Sequence, residues 1–161
     1  MTYEKIQQII DMGLDDYSRA LIVATIQHAG VYDKGGKPYI EHPLGVARYC
    51  NGVLETVVAL LHDTIEDTDL TLNDLGILGF NRYIVDAVEG VTKLKGEPYD
   101  QFIDRCVKND ISRAVKKADI KHNTEPERLH YLDVEVQNRL VTKYAKAENT
   151  INQFELFNQK R

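Results

Sequence analysis

The segment from Val53 to about Asp67 is apolar nearly all round. A helix of that kind must lie at the centre of a fold, with other elements packed around it. Its far end breaks the pattern. The stretch LLHDTIEDTDLTLNDLG, Leu60 to Gly76, sets His62 against Asp63 and then adds Glu66, Asp67 and Asp69. Burying charge without a partner is costly, and acid at a helix C-terminus opposes the macrodipole. A metal, a substrate or a polar network must meet these groups; the plainer alternative is a solvated acidic helix end. Adjacent helical residues point about 100° apart. His62 and Asp63 can therefore serve one ion only near a helix end or a bend.

Helical periodicity continues through nearly the whole chain. Thr2 to Met12 reads as one helix and Leu14 to Ala29 as a second, with Tyr17, Leu21, Ala24 and His28 on one stripe. The glycine-rich turn DKGGKPYIEHP follows. It places His42 before Pro43, and proline is favoured at the first position of a helix. That helix runs to about Tyr49 and stops at Asn51-Gly52. Thr71 and Asp74 fit a capping box for a short helix ending near Gly76. Asn81 to Leu94, Tyr99 to Lys108, Asp110 to about Asn123 and Glu127 to about Phe157 complete the series. No segment shows strand alternation. The expected fold is all-α, a compact helical bundle forming one domain over residues 1–161, long enough to bury a core.

The net charge of -5 argues against a general nucleic-acid binder, although local lysines and arginines can serve a small anion. Cys50 and Cys106 have no CxxC spacing, which excludes a cysteine-rich zinc module and gives no disulfide framework. MTYEKIQQII carries charge where a signal peptide needs an apolar core. No apolar run approaches a membrane span. The expectation is a cytoplasmic protein with no membrane or nucleic-acid partner; a homo-oligomer is compatible with the sequence.

In DISRAVKKADIKHN, Asp110 to Asn123, the residues Ile111, Ala114, Val115 and Ala118 make a core face. Asp119 lies at its edge, and His122 and Asn123 share its side of the helix. Asp119 is either a buried capping acid or a ligand. Lys116-Lys117 reads as a solvated helix face, His28 as a hydrogen-bonded core histidine, and His130 as a surface residue. Two tempting motifs fail. Asp67, Asp69 and Thr71 suggest a calcium loop, but Leu72 and Leu78 stand where glycine and glutamate are required. GVYDKGGKP lacks the order of a phosphate-binding P-loop.

Three segments in this order carry a resemblance: YIEHP (Tyr39–Pro43), LLHDTIEDT (Leu60–Thr68) and VKKADIKHN (Val115–Asn123). They resemble the signature segments of HD-domain phosphohydrolases, most of all the hydrolase domain of RelA/SpoT-type proteins and their small stand-alone relatives. The likeness runs from about Ala24 to Asn123, includes GVTKLKG (Gly90–Gly96), and reaches weakly into LVTKYAKA (Leu140–Ala147). It implies a stand-alone hydrolase that removes the 3′-pyrophosphate from guanosine tetra- and pentaphosphate, (p)ppGpp. The implied metal ligands are His42, His62, Asp63 and Asp119. Two imidazoles and two carboxylates suit manganese, with other divalent ions open. Glu66 and Asp67 match the acidic pair beside the attacking water. Lys34, Asn123 and Tyr144 match substrate contacts, with Lys37 and Arg19 as further basic residues near phosphate.

One departure concerns the nucleotide. Relatives carry arginine immediately before the loop lysine, and this chain has Asp33. Replacing Asp33 by arginine is therefore expected to improve (p)ppGpp binding. Two other readings share the same residues: an HD phosphohydrolase for a different nucleotide, and a nucleotide-sensing module that holds metal without turnover.

Overall fold

In a computed structural model, which describes residues 1–159, the segment beginning at Val53 forms the centre. Helix α4 (Val53–Leu61) follows α1 (Tyr3–Asp11), α2 (Asp16–Gln27) and α3 (Glu41–Ala47). Val57, Val58, Ala59, Leu60 and Leu61 are fully buried. A buried leucine of this kind contributes about 1.5–3 kcal/mol over an exposed one. The chain continues through α5 (Thr64–Asp67), α6 (Leu72–Ile77), α7 (Arg82–Val91), α8 (Tyr99–Cys106), α9 (Asp110–Asn123), α10 (Pro126–Leu129) and α11 (Val134–Asn158). Helix α4 packs against α2, α3, α7 and α9. The fold is all-α; among the described residues the strand-like pairing is a lone antiparallel bridge between Tyr32 and Pro38.

Two expected helices are broken. The helix expected over Val53–Asp67 stops at Leu61 and restarts at Thr64. The Thr64 hydroxyl donates to the Leu61 carbonyl at 2.6 Å, so a side chain occupies an acceptor at the break. The bend falls at His62 and Asp63, the pair that needed one. The helix expected over Glu127–Phe157 is two, because Asp133 takes an extended backbone, φ -59° and ψ 146°, between α10 and α11.

Two fastenings fix the helices that carry the site. Ser112 on α9 donates its hydroxyl to the Ala87 carbonyl on α7 at 2.8 Å. Gly90 permits this, since a Cβ there would lie 2.3 Å from Ser112 Oγ. Helix α11 is held by buried Ala147 and Ile151 and by Glu155, which pairs with Lys117 at 2.7 Å and Arg113 at 3.4 Å. Both cysteines are free thiols. No helix among the described residues is long and apolar enough to cross a membrane.

Candidate metal centre and adjoining cleft

His42 comes from the first turn of α3, His62 and Asp63 from the α4–α5 bend, and Asp119 from α9. Packing of α4 on both α3 and α9 brings them together. The two imidazole Nε2 atoms are 3.2 Å apart. Asp63 Oδ2 lies 3.3 Å from His42 Nε2 and 3.1 Å from His62 Nε2. Asp119 Oδ1 lies 3.3 Å and 3.8 Å from the same two nitrogens. His42, His62 and Asp119 form a compact, buried triad able to hold a metal ion, with ligand atoms within 4.8 Å of one another. Four ligands at the usual bond length of about 2.1 Å stand roughly 3.4 Å apart in a tetrahedral site.

The second ring nitrogens support this reading. His62 Nδ1 is 2.7 Å from the Ala59 carbonyl and so carries a proton, which leaves Nε2 with a lone pair facing the cluster. His42 Nδ1 is 2.9 Å from His122 Nδ1. Burial, with the charges of His42 and Arg128, pushes His122 down to about 4. A neutral His122 can accept the His42 Nδ1 proton, again leaving Nε2 free. The site is short of positive charge. Burial opposes an imidazolium at His62, but Asp63 and Asp119 outweigh it and push His62 up to about 9. Burial likewise opposes ionisation of Asp119, yet Lys116 and both imidazoles hold it below the usual carboxylate range. Lone pairs and carboxylates converging on one buried point fit a divalent cation.

Further contacts orient the carboxylates. Tyr39 donates its phenol to Asp63 Oδ2 at 2.6 Å, and Lys116 Nζ reaches Asp119 Oδ2 at 2.6 Å. Asn123 donates to Asp119 Oδ1. Lys116 is therefore no solvated helix face: its side chain is 13% exposed and lies over the Tyr99 and Phe102 rings. Its i, i+3 spacing to Asp119 was the available signal. Tyr39 and Lys116 are the neighbours that the sequence pattern does not single out; His122 falls on the side of Asp119 as expected, and its contact with His42 is the part the spacing does not show. His28 is buried as expected, but its Nε2 has no hydrogen-bond partner; the ring packs 4.8 Å from Tyr39.

Glu66 and Asp67 stand on the exposed rim of the site. Glu66 Oε2 accepts the Lys93 backbone N–H at 3.0 Å. Crowding by protein, then Asp63 and Glu66, raises Asp67 above the usual carboxylate range. A cleft of about 1230 Å³ adjoins the site, with Lys34, Asn123, Tyr144, His122 and Arg128 in its lining. Lys37 also lines it. Arg19 does not: its guanidinium is held by Asp16 at 3.0 Å and the Leu14 carbonyl at 2.6 Å, over Phe80.

Asp33 lines the cleft, but its charge is engaged. Oδ1 accepts the backbone N–H groups of Gly35 and Lys37, each at 2.9 Å, and Oδ2 lies 3.5 Å from Arg128 Nη1.

No family model matches the sequence. The chain is similar to the probable GTP pyrophosphokinase of Mycobacterium leprae, 36% identical over 134 residues, covering 75% of this chain and 17% of that protein. It is 33% identical over 141 residues to the bifunctional (p)ppGpp synthase/hydrolase SpoT of Escherichia coli, covering 75% and 20%. Human guanosine-3′,5′-bis(diphosphate) 3′-pyrophosphohydrolase MESH1 is 47% identical over 72 residues, 41% of this chain and 40% of that one. The chain thus spans about a fifth of the long relatives' length. A solved structure described as a metazoan ortholog of SpoT that hydrolyzes ppGpp shares the fold, with TM-score 0.63 and 21% identity over 91% of this chain and 96% of that one.

Proposed function

We propose that this chain, which resembles the HD-domain (p)ppGpp hydrolases in sequence and fold, is a metal-dependent phosphohydrolase acting on (p)ppGpp as one domain over residues 1–161. The observation that carries this is the convergence of His42, His62, Asp63 and Asp119 at the head of a cleft that contains Lys34, Asn123 and Tyr144. A divalent cation held by those four residues, Mn²⁺ in this reading, supplies Lewis acidity and makes water a better nucleophile near neutral pH.

The protein's own groups do the rest. Glu66 and Asp67 orient the attacking water and accept its proton. The water oxygen forms a bond to the phosphorus attached at the 3′-oxygen. The bond from that phosphorus to the 3′-oxygen breaks, and the 3′-oxygen leaves with a proton, releasing pyrophosphate. Tyr39 and Lys116 hold the two carboxylates in place throughout. Lys34 and Asn123 contact the nucleotide, and the Tyr144 ring lines its pocket.

A hydrolysis screen of the purified protein with added divalent metals tests this, with (p)ppGpp set beside ordinary nucleotides. Release of pyrophosphate from (p)ppGpp is the expected result; no hydrolysis of any nucleotide would overturn the reading. A second reading, a nucleotide other than (p)ppGpp, rests on Asp33 standing where the relatives it resembles carry arginine, and the same screen separates the two.

A further inference from the structure

Two segments that line the cleft are weakly anchored to the body of the protein. Every residue from 29 to 41 is exposed or half-buried, and so is every residue from 123 to 146. Buried His28 and His42 flank the first stretch, and buried His122 and Ala147 flank the second. Segments with so little buried surface are the ones that open at low cost. The first is nevertheless tight within itself. Its arms pair at Tyr32 and Pro38, and the Tyr39 N–H donates to the Val31 carbonyl at 2.8 Å. Asp33 closes its turn through the N–H groups of Gly35 and Lys37. It joins α2 through Gly30, whose φ is 77°. Such a hairpin swings as one piece. The second segment carries α10, a short helix that buries none of its residues, followed by the extended backbone of Asp133.

These two segments hold each other. Asp33 Oδ2 lies 3.5 Å from Arg128 Nη1. The Tyr131 ring sits on the Gly35 backbone, so closely that a Cβ on Gly35 would lie 3.1 Å from Tyr131 Cδ2. Lys37 Nζ stands 6.0 Å from the centroid of the same ring. All five residues line the cleft. Gly35, Lys37 and Tyr131 are exposed, whereas His122, at the metal-centre end, is buried. The contact therefore lies at the solvent end of the cleft. Each of its parts is weak: a single long ion pair and a cation over an exposed ring join two surfaces without locking them.

We infer that the hairpin over residues 31–39 and the α10 corner form a latch across the outer end of the cleft. It opens to admit nucleotide and to release the nucleoside diphosphate left when guanosine tetraphosphate loses its 3′-pyrophosphate. The inference rests on the nucleotide reading of the cleft. Arg128 and Tyr131 make no covalent step and act on exchange alone, the kind of step that limits turnover in many enzymes with closing elements. A latch that shuts equally over the empty and the filled cleft changes entry and exit by the same factor and leaves affinity as it was.

The experiment is stopped-flow tyrosine fluorescence of GDP binding to protein saturated with Mn²⁺; the chain has no tryptophan to mask the signal. Arg128→Gln raises the association and dissociation rates together by roughly fivefold, as expected for loss of one part-exposed ion pair, with the dissociation constant unchanged. The pair Gly35→Cys and Tyr131→Cys locks the latch, since a Cβ on Gly35 would lie 3.3 Å from Tyr131 Cγ, within disulfide reach. After oxidation GDP neither enters nor leaves until a thiol reductant is added. Oxidised protein that exchanges GDP as fast as reduced protein overturns the inference, and so does a cysteine pair that does not cross-link. Arg128→Gln that speeds dissociation alone also overturns it, because Arg128 is then a nucleotide contact. A protein that binds GDP in no form leaves nothing to gate and overturns it as well. Hydrolysis of (p)ppGpp is scored separately. If hydrolysis occurs and the cross-link has no effect on exchange, the activity stands and the latch falls. If GDP exchange follows the cross-link but no nucleotide is hydrolysed, the latch stands and the assigned activity falls.

Discussion

Gly45 and His122 are in such close contact that a Cβ on Gly45 would lie 2.1 Å from His122 Nε2. The imidazole fills the space that a side chain would need, and its Nδ1 faces His42 Nδ1 at 2.9 Å. The glycine in the run EHPLG thus sets the position of a histidine that orients a candidate metal ligand.

Gly45→Ala is the first test. Elsewhere in a helix this change stabilises by about 0.8–1 kcal/mol. Here His122 must move and His42 loses its hydrogen bond, so the expected result is lower thermal stability. Mn²⁺ affinity should fall by roughly 10- to 100-fold, the usual effect of losing a residue that orients a ligand. Thermal unfolding with and without metal measures both. A variant more stable than wild type, with unchanged metal affinity, would show that the contact does not matter.

Asp119→Ala should remove metal binding and also strand the Lys116 ammonium. Breaking one side of a buried pair costs about 3–5 kcal/mol; the 13% exposure of Lys116 admits some screening, so a loss of about 2–3 kcal/mol is expected. Adding Lys116→Met to Asp119→Ala should recover part of the stability and none of the metal binding. Denaturant unfolding of the two variants decides it. If the double variant is less stable than Asp119→Ala alone, Lys116 stabilises through packing on Tyr99 and Phe102 rather than through its charge.

Glu66→Gln should keep the metal and lose most turnover. The amide oxygen can still accept the Lys93 N–H, so the loop after α7 stays in place. It cannot accept the water's proton, and the loss of a general base costs roughly 10²- to 10⁴-fold. Elemental analysis confirms metal retention and single-turnover kinetics reads the rate. Near-normal turnover would make Glu66 a loop anchor alone.

Much of this centre was legible because its residues sit at special places along a helical chain. His42 precedes a proline, His62 and Asp63 close an apolar helix, and Asp119 edges a core face. The sequence sets a helix end or a bend as the condition for neighbouring His62 and Asp63 to share one point, and the break between Leu61 and Thr64, inside a helix expected to run to Asp67, meets it. The supporting contacts were not legible in the same way. Tyr39 meets Asp63 across 24 residues and His42 meets His122 across 80, and no local periodicity encodes such pairings. Lys116 was open to sequence reasoning through its spacing to Asp119, but a lysine pair on a polar face has a simpler solvent reading. The division between α10 and α11 was missed because the extended residue at the break, Asp133, sits in helix-forming surroundings.

Asp33 reverses an expectation, and it supplies the last prediction. From the sequence, arginine at this position should improve (p)ppGpp binding by removing a repulsive charge. In the structure the carboxylate is already compensated by two backbone N–H groups and by Arg128. It also shapes the loop. The Asp33 N–H donates to the Lys37 carbonyl at 2.8 Å, the Asp33 carbonyl accepts from Gly36 at 3.0 Å, and Gly36 takes a positive φ of 77°. Arginine cannot accept either N–H, and it would face Arg128 with like charge. Asp33→Arg should therefore lose about 1–2 kcal/mol from the two hydrogen bonds. It should also raise the Michaelis constant for (p)ppGpp, because Lys34 and Lys37 lose their fixed positions in the cleft. Asp33→Asn separates the two roles. Its amide oxygen keeps the N–H contacts while the charge is gone, so loop stability should hold and any change in binding reports charge alone. Metal affinity should be the same in both variants, since Asp33 contacts none of the four proposed ligands. Steady-state kinetics on (p)ppGpp and Mn²⁺ titration measure these outcomes. If Asp33→Arg lowers the Michaelis constant while Asp33→Asn leaves it unchanged, a positive charge is what this position lacks, and the loop tolerates the loss of its hydrogen bonds.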